Sequence, residues 1–289
     1  MDDALRARFD AAPYAASLGL QLQGATPERV HLRLPYKDDN ANPGRVLHGG
    51  VTASTIDAAG VLTGFVALGG AADWEIGTLD LSVSYLAAAI GEDIVATAEV
   101  LRRGKELVYS SIDVRTDGGK RIATGLSTVR GVAAGTRKEE RQLAVAPTSA
   151  VLGNELMKGA TAFVMSPFMA RLDIAVEHAH GGAARLAMGC SDDKRDVDGA
   201  IHEGALAALI DSTGALAAWS VVGLDMRFKA STVGIHVNYH HRVPGAAVVA
   251  QARTLRRNNE IFLNEVAVTA RDDGTRLATG SVTYRIVVP

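Results

Sequence analysis

The chain has 289 residues, with 30 basic and 32 acidic side chains, a net charge of -2 and 47% apolar residues. That balance excludes a disordered or fibrous chain, and the lack of a basic excess or stripe excludes a nucleic-acid footprint. A charged N-terminus, no continuous apolar run of the roughly 20 residues a bilayer needs, and the single cysteine, Cys190, predict a cytoplasmic chain with no membrane span.

In chain order, Asp2 to Ala11 reads as a short opening helix, and Val30 to Leu34 alternates apolar and polar residues as a half-buried strand does. Val51 to Leu68 is apolar throughout, with Asp57 as its only charge; its length favours a helix, and the missing polar face predicts burial nearly all round. Thr78 to Leu86, Asp93 to Arg102, Leu107 to Thr116 and Arg121 to Arg130 read as strands, with a hairpin signal at Asp117-Gly118-Gly119. From Gly131 to Ser149 no apolar period is sustained and Pro147 interrupts any helix, so a linker is expected there. Asn154 to Phe163 reads as a second opening helix and Ala205 to Val222 as a second long apolar helix around Asp211. Strands follow at Val233 to His240, Val248 to Leu255, Ile261 to Ala270 and Arg276 to Val288.

The second half repeats the first. A shift of 154 residues places His48 on His202, Asp57 on Asp211, Gly60 on Gly214, Thr78 on Thr232, Tyr85 on Tyr239, and Arg102-Arg103 on Arg256-Arg257. After one inserted residue, GGKRIATG at Gly118 lies on DGTRLATG at Asp273. The chain is a tandem duplication. The expected division is residues 1–132 for the first domain, 133–150 for a linker and 151–289 for the second domain.

His48 and Asp57 are nine residues apart, which along a helix is a rise of about 13.5 Å and half a turn beyond two full ones. They cannot meet at one bound group. If they act together, the acid comes from the other half, which pairs His48 with Asp211 and His202 with Asp57.

The stretch Asn42 to Gly50 (N-P-G-R-V-L-H-G-G), the Asp57 that follows, Thr78 to Leu86 (T-L-D-L-S-V-S-Y-L) and Arg102 to Lys105 (R-R-G-K) resemble the hotdog-fold acyl-CoA thioesterases of the phenylacetate-pathway type. The resemblance covers most of both halves. It implies an α+β tandem double hotdog, each half an antiparallel sheet wrapped around one long helix, that hydrolyses a CoA thioester between the halves. It also implies that Asn42 and His48 orient the thioester and the water, and that Thr232, or Thr78 in the other site, helps to hold that water. The chemistry suits the remaining parts. The Gly49 amide at a helix N-terminus can polarise the carbonyl, with Gly49 and Gly50 leaving room for the acyl group. Asp211 serves as general base or as nucleophile.

The second half departs from this pattern, with Asp196 at the place of Asn42 and Glu203 at that of Gly49. Glu203 keeps the backbone donor but adds a carboxylate that crowds the site. The site of Asn42, His48, Gly49, Asp211 and Thr232 is therefore expected to outperform that of His202, Glu203, Asp57 and Thr78. Arg102, Arg103, Lys105, Arg256 and Arg257 suit the phosphates of CoA. The pair His178 and His180, and the strand face of His236, Asn238 and His240, fall short of a zinc ligand set, so neither a metal nor a cofactor is expected beyond the CoA of the substrate. A homo-oligomer is expected. A non-catalytic acyl-CoA-binding hotdog and a hotdog enoyl-CoA hydratase are the rival readings, and the acyl group is not legible.

Overall fold

In the computed structural model, residues 3–70, 74–133, 152–225 and 227–288 are described. Helices α1 (Asp3–Asp10) and α2 (Pro13–Leu18) lead into strands β1 (Gln21–Thr26) and β2 (Arg29–Leu34), the two-residue strands β3 (Ala41–Asn42) and β4 (Val46–Leu47), and the long helix α3 (Gly49–Ala67). Strands β5 (Trp74–Tyr85), β6 (Ile94–Arg103), β7 (Leu107–Thr116) and β8 (Arg121–Ala133) complete the first half. The second half comprises α4 (Ala160–Phe163), α5 (Pro167–Arg171), β9 (Ile174–His180), β10 (Ala183–Met188), α6 (Glu203–Val222), β11 (Lys229–Tyr239), β12 (Val248–Asn258), β13 (Ile261–Ala270) and β14 (Arg276–Val287).

Twelve strands form one antiparallel sheet in the order β1-β2-β6-β7-β8-β5-β11-β14-β13-β12-β10-β9. The order reads as the same half twice, joined where β5 pairs β11 from Asp80↔Asn238 to Ser84↔Gly234. Helices α3 and α6 lie against the sheet and against each other, and their residues are buried on nearly every side. That placement answers the lack of a polar face in their sequences. Both helices are long and apolar enough to cross a bilayer, where the sequence suggested no run of that length, yet most of each is buried inside the protein.

Where the helices cross, a Cβ on Gly50 would stand 2.6 Å from the Ala208 side chain, and one on Gly204 would stand 2.9 Å from Ser54. These are equivalent contacts in the two halves. Gly50 is thus a helix-crossing glycine, and the space expected to admit an acyl group is taken by Ala208. His48 and His202 cap the two helices, each Nδ1 accepting from the amide two residues on (Gly50 N at 2.9 Å, Gly204 N at 3.0 Å).

Two expected boundaries move. Of Asn154 to Phe163 only the last four residues are helical, because Gly159 sits at φ +83°, outside helical geometry, at the start of α4. Strand β8 runs on through Gly131 to Ala133, opposite Trp74, where the sequence suggested that a linker begins. Residues 134–150 of that linker lie outside the described residues. Strands β1, β9 and β10 and the short β3-β4 pair carried no signal strong enough to be read from the sequence.

Candidate active site

The apolar run of α3 leaves Asp57 fully buried, and Thr78 on β5 donates to its Oδ1 at 2.7 Å. The same arrangement recurs in the second half, where Thr232 on β11 donates to Asp211 Oδ1 at 2.6 Å. With one oxygen pinned, the other is aimed across the seam. Asp57 Oδ2 lies 3.6 Å from His202 Nδ1, and Asp211 Oδ2 lies 3.0 Å from where a Cβ of Gly49 would stand. Each acid therefore meets the helix start of the opposite half. Asp211, Thr232, Gly49 and His48 gather at one site and Asp57, Thr78, His202 and Glu203 at the other.

Burial sets the proton affinities. It pushes Asp211 up to about 6 against the opposing Thr232 hydrogen bond. It pushes Asp57 up to about 7, opposed by His202 and the Thr78 bond and assisted by the charges of Glu203 and Asp196. Burial also lowers His48 to about 4, so its ring is neutral near pH 7. With Nδ1 given to the Gly50 amide and the ring centroid 4.7 Å from that of Phe168, His48 is fixed in place. His48 is thus a helix cap through Nδ1, a role that the local His-Gly-Gly spacing did not reveal.

Two tyrosines carry the frame. The Tyr85 hydroxyl donates to the Gly49 carbonyl and the Tyr239 hydroxyl to that of Glu203, each at 3.0 Å. Their coincidence in the repeat was the only sequence signal for them. Asn42 is half-buried on β3, opposite Val46, in the loop that leads to Gly49.

A cavity of about 480 Å³ opens onto the second site, with Thr78, Glu203, Tyr239 and Leu206 among its walls. Its arginines are Arg8, Arg130 and Arg242. The predicted doublets stand further out. Arg102 and Arg103 end β6 at the rim of the sheet that Arg130 also occupies, since Arg103 pairs with Val108 and Leu107 with Arg130. Lys105 lies in the turn just beyond, and all three are exposed. Arg256 and Arg257 end β12 equivalently, with Arg257 over the Phe262 ring.

Asp57, His202 and Glu203 place potential ligand atoms within 4.8 Å of one another. Arg242 binds Glu203 and the Gly204 amide binds His202 Nδ1, whereas Asp57 Oδ2 has no hydrogen-bond partner. Glu203 supplies the third group of this cluster, where the first site has Gly49.

Residues 44–123 and 198–277 each match the thioesterase superfamily. Over 129 residues the chain is 32% identical to acyl-coenzyme A thioesterase 13 of Homo sapiens, spanning 44% of this chain and 90% of that protein. Over 134 residues it is 28% identical to the medium/long-chain acyl-CoA thioesterase YigI of Escherichia coli (strain K12), spanning 40% of this chain and 83% of that protein. A conserved protein of unknown function with a hot dog fold from Alicyclobacillus acidocaldarius superposes with a TM-score of 0.68 at 18% identity, over 96% of this chain and 98% of that one. The tesB protein of Mycobacterium avium subs paratuberculosis does so with a TM-score of 0.65 at 14% identity, over 97% and 99%. The architecture is a tandem double hotdog.

Proposed function

The chain belongs to the thioesterase superfamily, and from that premise we propose that it hydrolyses acyl-CoA thioesters to a free acid and CoA at two sites between its halves. The Gly49 amide, at the first position of α3, has no partner within the helix and lies at the positive end of its dipole. It polarises the thioester carbonyl. Asp211, anionic near neutrality, takes a proton from water as the water attacks that carbonyl, and the C–S bond breaks to release CoA as thiol. Thr232 holds Asp211 so that Oδ2 faces the reacting atoms. An Asp211 that attacks directly, forming an acyl anhydride that water then opens, would use the same geometry. His48 and Tyr85 position the amide, Asn42 lines the approach, and Arg102, Arg103, Lys105, Arg256 and Arg257 meet the phosphates of CoA at the rim.

The observation that carries this reading is the meeting of Asp211 Oδ2 with bare Gly49, 3.0 Å from its missing Cβ. Thiol release from short, long and aromatic acyl-CoAs tests it. Turnover should fall by roughly 10²- to 10⁴-fold in Asp57→Asn/Asp211→Asn while acyl-CoA still binds. Tight binding by the unaltered protein with no thiol released would make it a binder, and water added to an enoyl-CoA would make it a hydratase.

We further propose that the chain self-associates through its outer sheet face. Leu79, Leu101 and Tyr109 are exposed, as are their counterparts Val233, Leu255 and Leu263, so the same apolar positions are exposed in both halves. Light scattering should report a multiple of 30.2 kDa; a monomer at micromolar concentration would refute it.

A further inference from the structure

Five positions differ in concert between the two sites. Under the 154-residue shift, Asn42, Gly44, Gly49 and Ala88 of the first correspond to Asp196, Asp198, Glu203 and Arg242 of the second; across the seam, Ser231 corresponds to Gly77. The new residues form one cluster. Arg242 donates from Nη2 to Asp196 Oδ2 at 3.0 Å and to Asp198 Oδ1 at 2.7 Å, from Nε to Asp198 Oδ2 at 2.6 Å, and from Nη1 to Glu203 Oε1. Glu203 reaches across to β5, where a Cβ on Gly77 would stand 3.2 Å from its Oε1. A serine such as Ser231 would crowd that carboxylate, so the enlargement at 203 is matched by the smallest residue at 77.

The Glu203 side chain is 5% exposed and that of Arg242 17%. A carboxylate so buried beside Asp57 is costly unless a cation compensates it. The first site carries no such acid and has only Ala88 at the arginine position.

We infer that Arg242 is a positioning residue of the second site: it holds the Glu203 carboxylate against Gly77 and off Asp57, so that hydrolysis survives there without the bare glycine. The inference rests on the hydrolase reading above. The charged and titratable groups around Asp57 are His202 and Glu203 at the start of α6, Asp196 in the loop before it, Tyr14 on α2 and Tyr239 on β11. Arg242 is bound directly to two of them.

The test uses Asp211→Asn, in which turnover belongs to the Asp57 site. Adding Arg242→Ala should lower kcat by tenfold or more, with a smaller effect on KM, and move the acid limb of the pH profile upward by about one unit, because Glu203 then faces Asp57 uncompensated. Adding Glu203→Gly as well should restore both. Arg242→Lys, which keeps the charge and loses the fork, should fall between. An unchanged rate and limb in Arg242→Ala, or no rescue by Glu203→Gly in a protein that melts like its parent, would overturn the inference. A second readout needs no turnover: the ¹³C carboxyl signal of Asp57, assigned with Asp57→Asn, should titrate higher in Arg242→Ala and return in the double variant. An immobile titration overturns the inference even if thiol release is robust. A shifted one supports the electrostatic role even if thiol release fails and the hydrolase reading falls.

Discussion

The two seam sites of this chain share one frame and differ in what fills it. Both have an aspartate pinned by a threonine from the neighbouring strand, a histidine capping the opposite helix and a tyrosine holding the first helical carbonyl. At the first site the helix begins with glycine and its approach loop carries the neutral Asn42. At the second it begins with Glu203, and the loop carries Asp196 and Asp198, all tied to Arg242. The lesson is that a duplicated site diverges around its acid while the acid itself is kept. The aspartate and its threonine partner are the same in both halves, whereas even buried charges facing them can change together once one arginine compensates them.

The largest effect that sharpens this contrast is the loss of each acid in turn. Asp211→Asn should remove most thiol release and Asp57→Asn distinctly less, because the bare Gly49 faces Asp211 while Glu203 stands before Asp57. Equal losses in steady-state assays, or the reverse order, would break the contrast. A smaller effect separates the surviving sites by pH. An acid that must be ionised to work loses activity as pH falls through its pKa, so in Asp57→Asn the rate should decline below about 6. In Asp211→Asn, where Asp57 works, the decline should begin higher, near 7. Coincident acid limbs of kcat/KM in the two variants would show that the neighbouring carboxylates do not reach Asp57.

Much of this was legible along the chain. The alignment of His48 with His202 and of Asp57 with Asp211 exposed the duplication, and helix geometry over nine residues meant that a histidine and an aspartate acting together must come from opposite halves. The two core helices could be read because an apolar run with one charge has only the interior to occupy. Other features were hidden. Gly50 reads as room for a ligand, but Ala208 occupies that room, and the cap that His48 Nδ1 makes on the Gly50 amide leaves no mark in the sequence. Arg242 had no counterpart in the repeat to mark it, and only the three acids needing a cation pointed to one.

By itself, then, the sequence determined the double architecture, through its internal repeat, and the buried acids, through the apolar runs around them. It also excluded a meeting of His48 with Asp57 on one helix, through the rise and rotation of that helix. All of these can be read along the chain. Only the tertiary structure decided which glycine is packed and which is open, which histidine nitrogen is engaged, and how a lone arginine gathers acids from 39, 44 and 46 residues away. Those outcomes depend on which surfaces meet at the seam between α3 and α6, and contacts between segments distant along the chain leave no period in it.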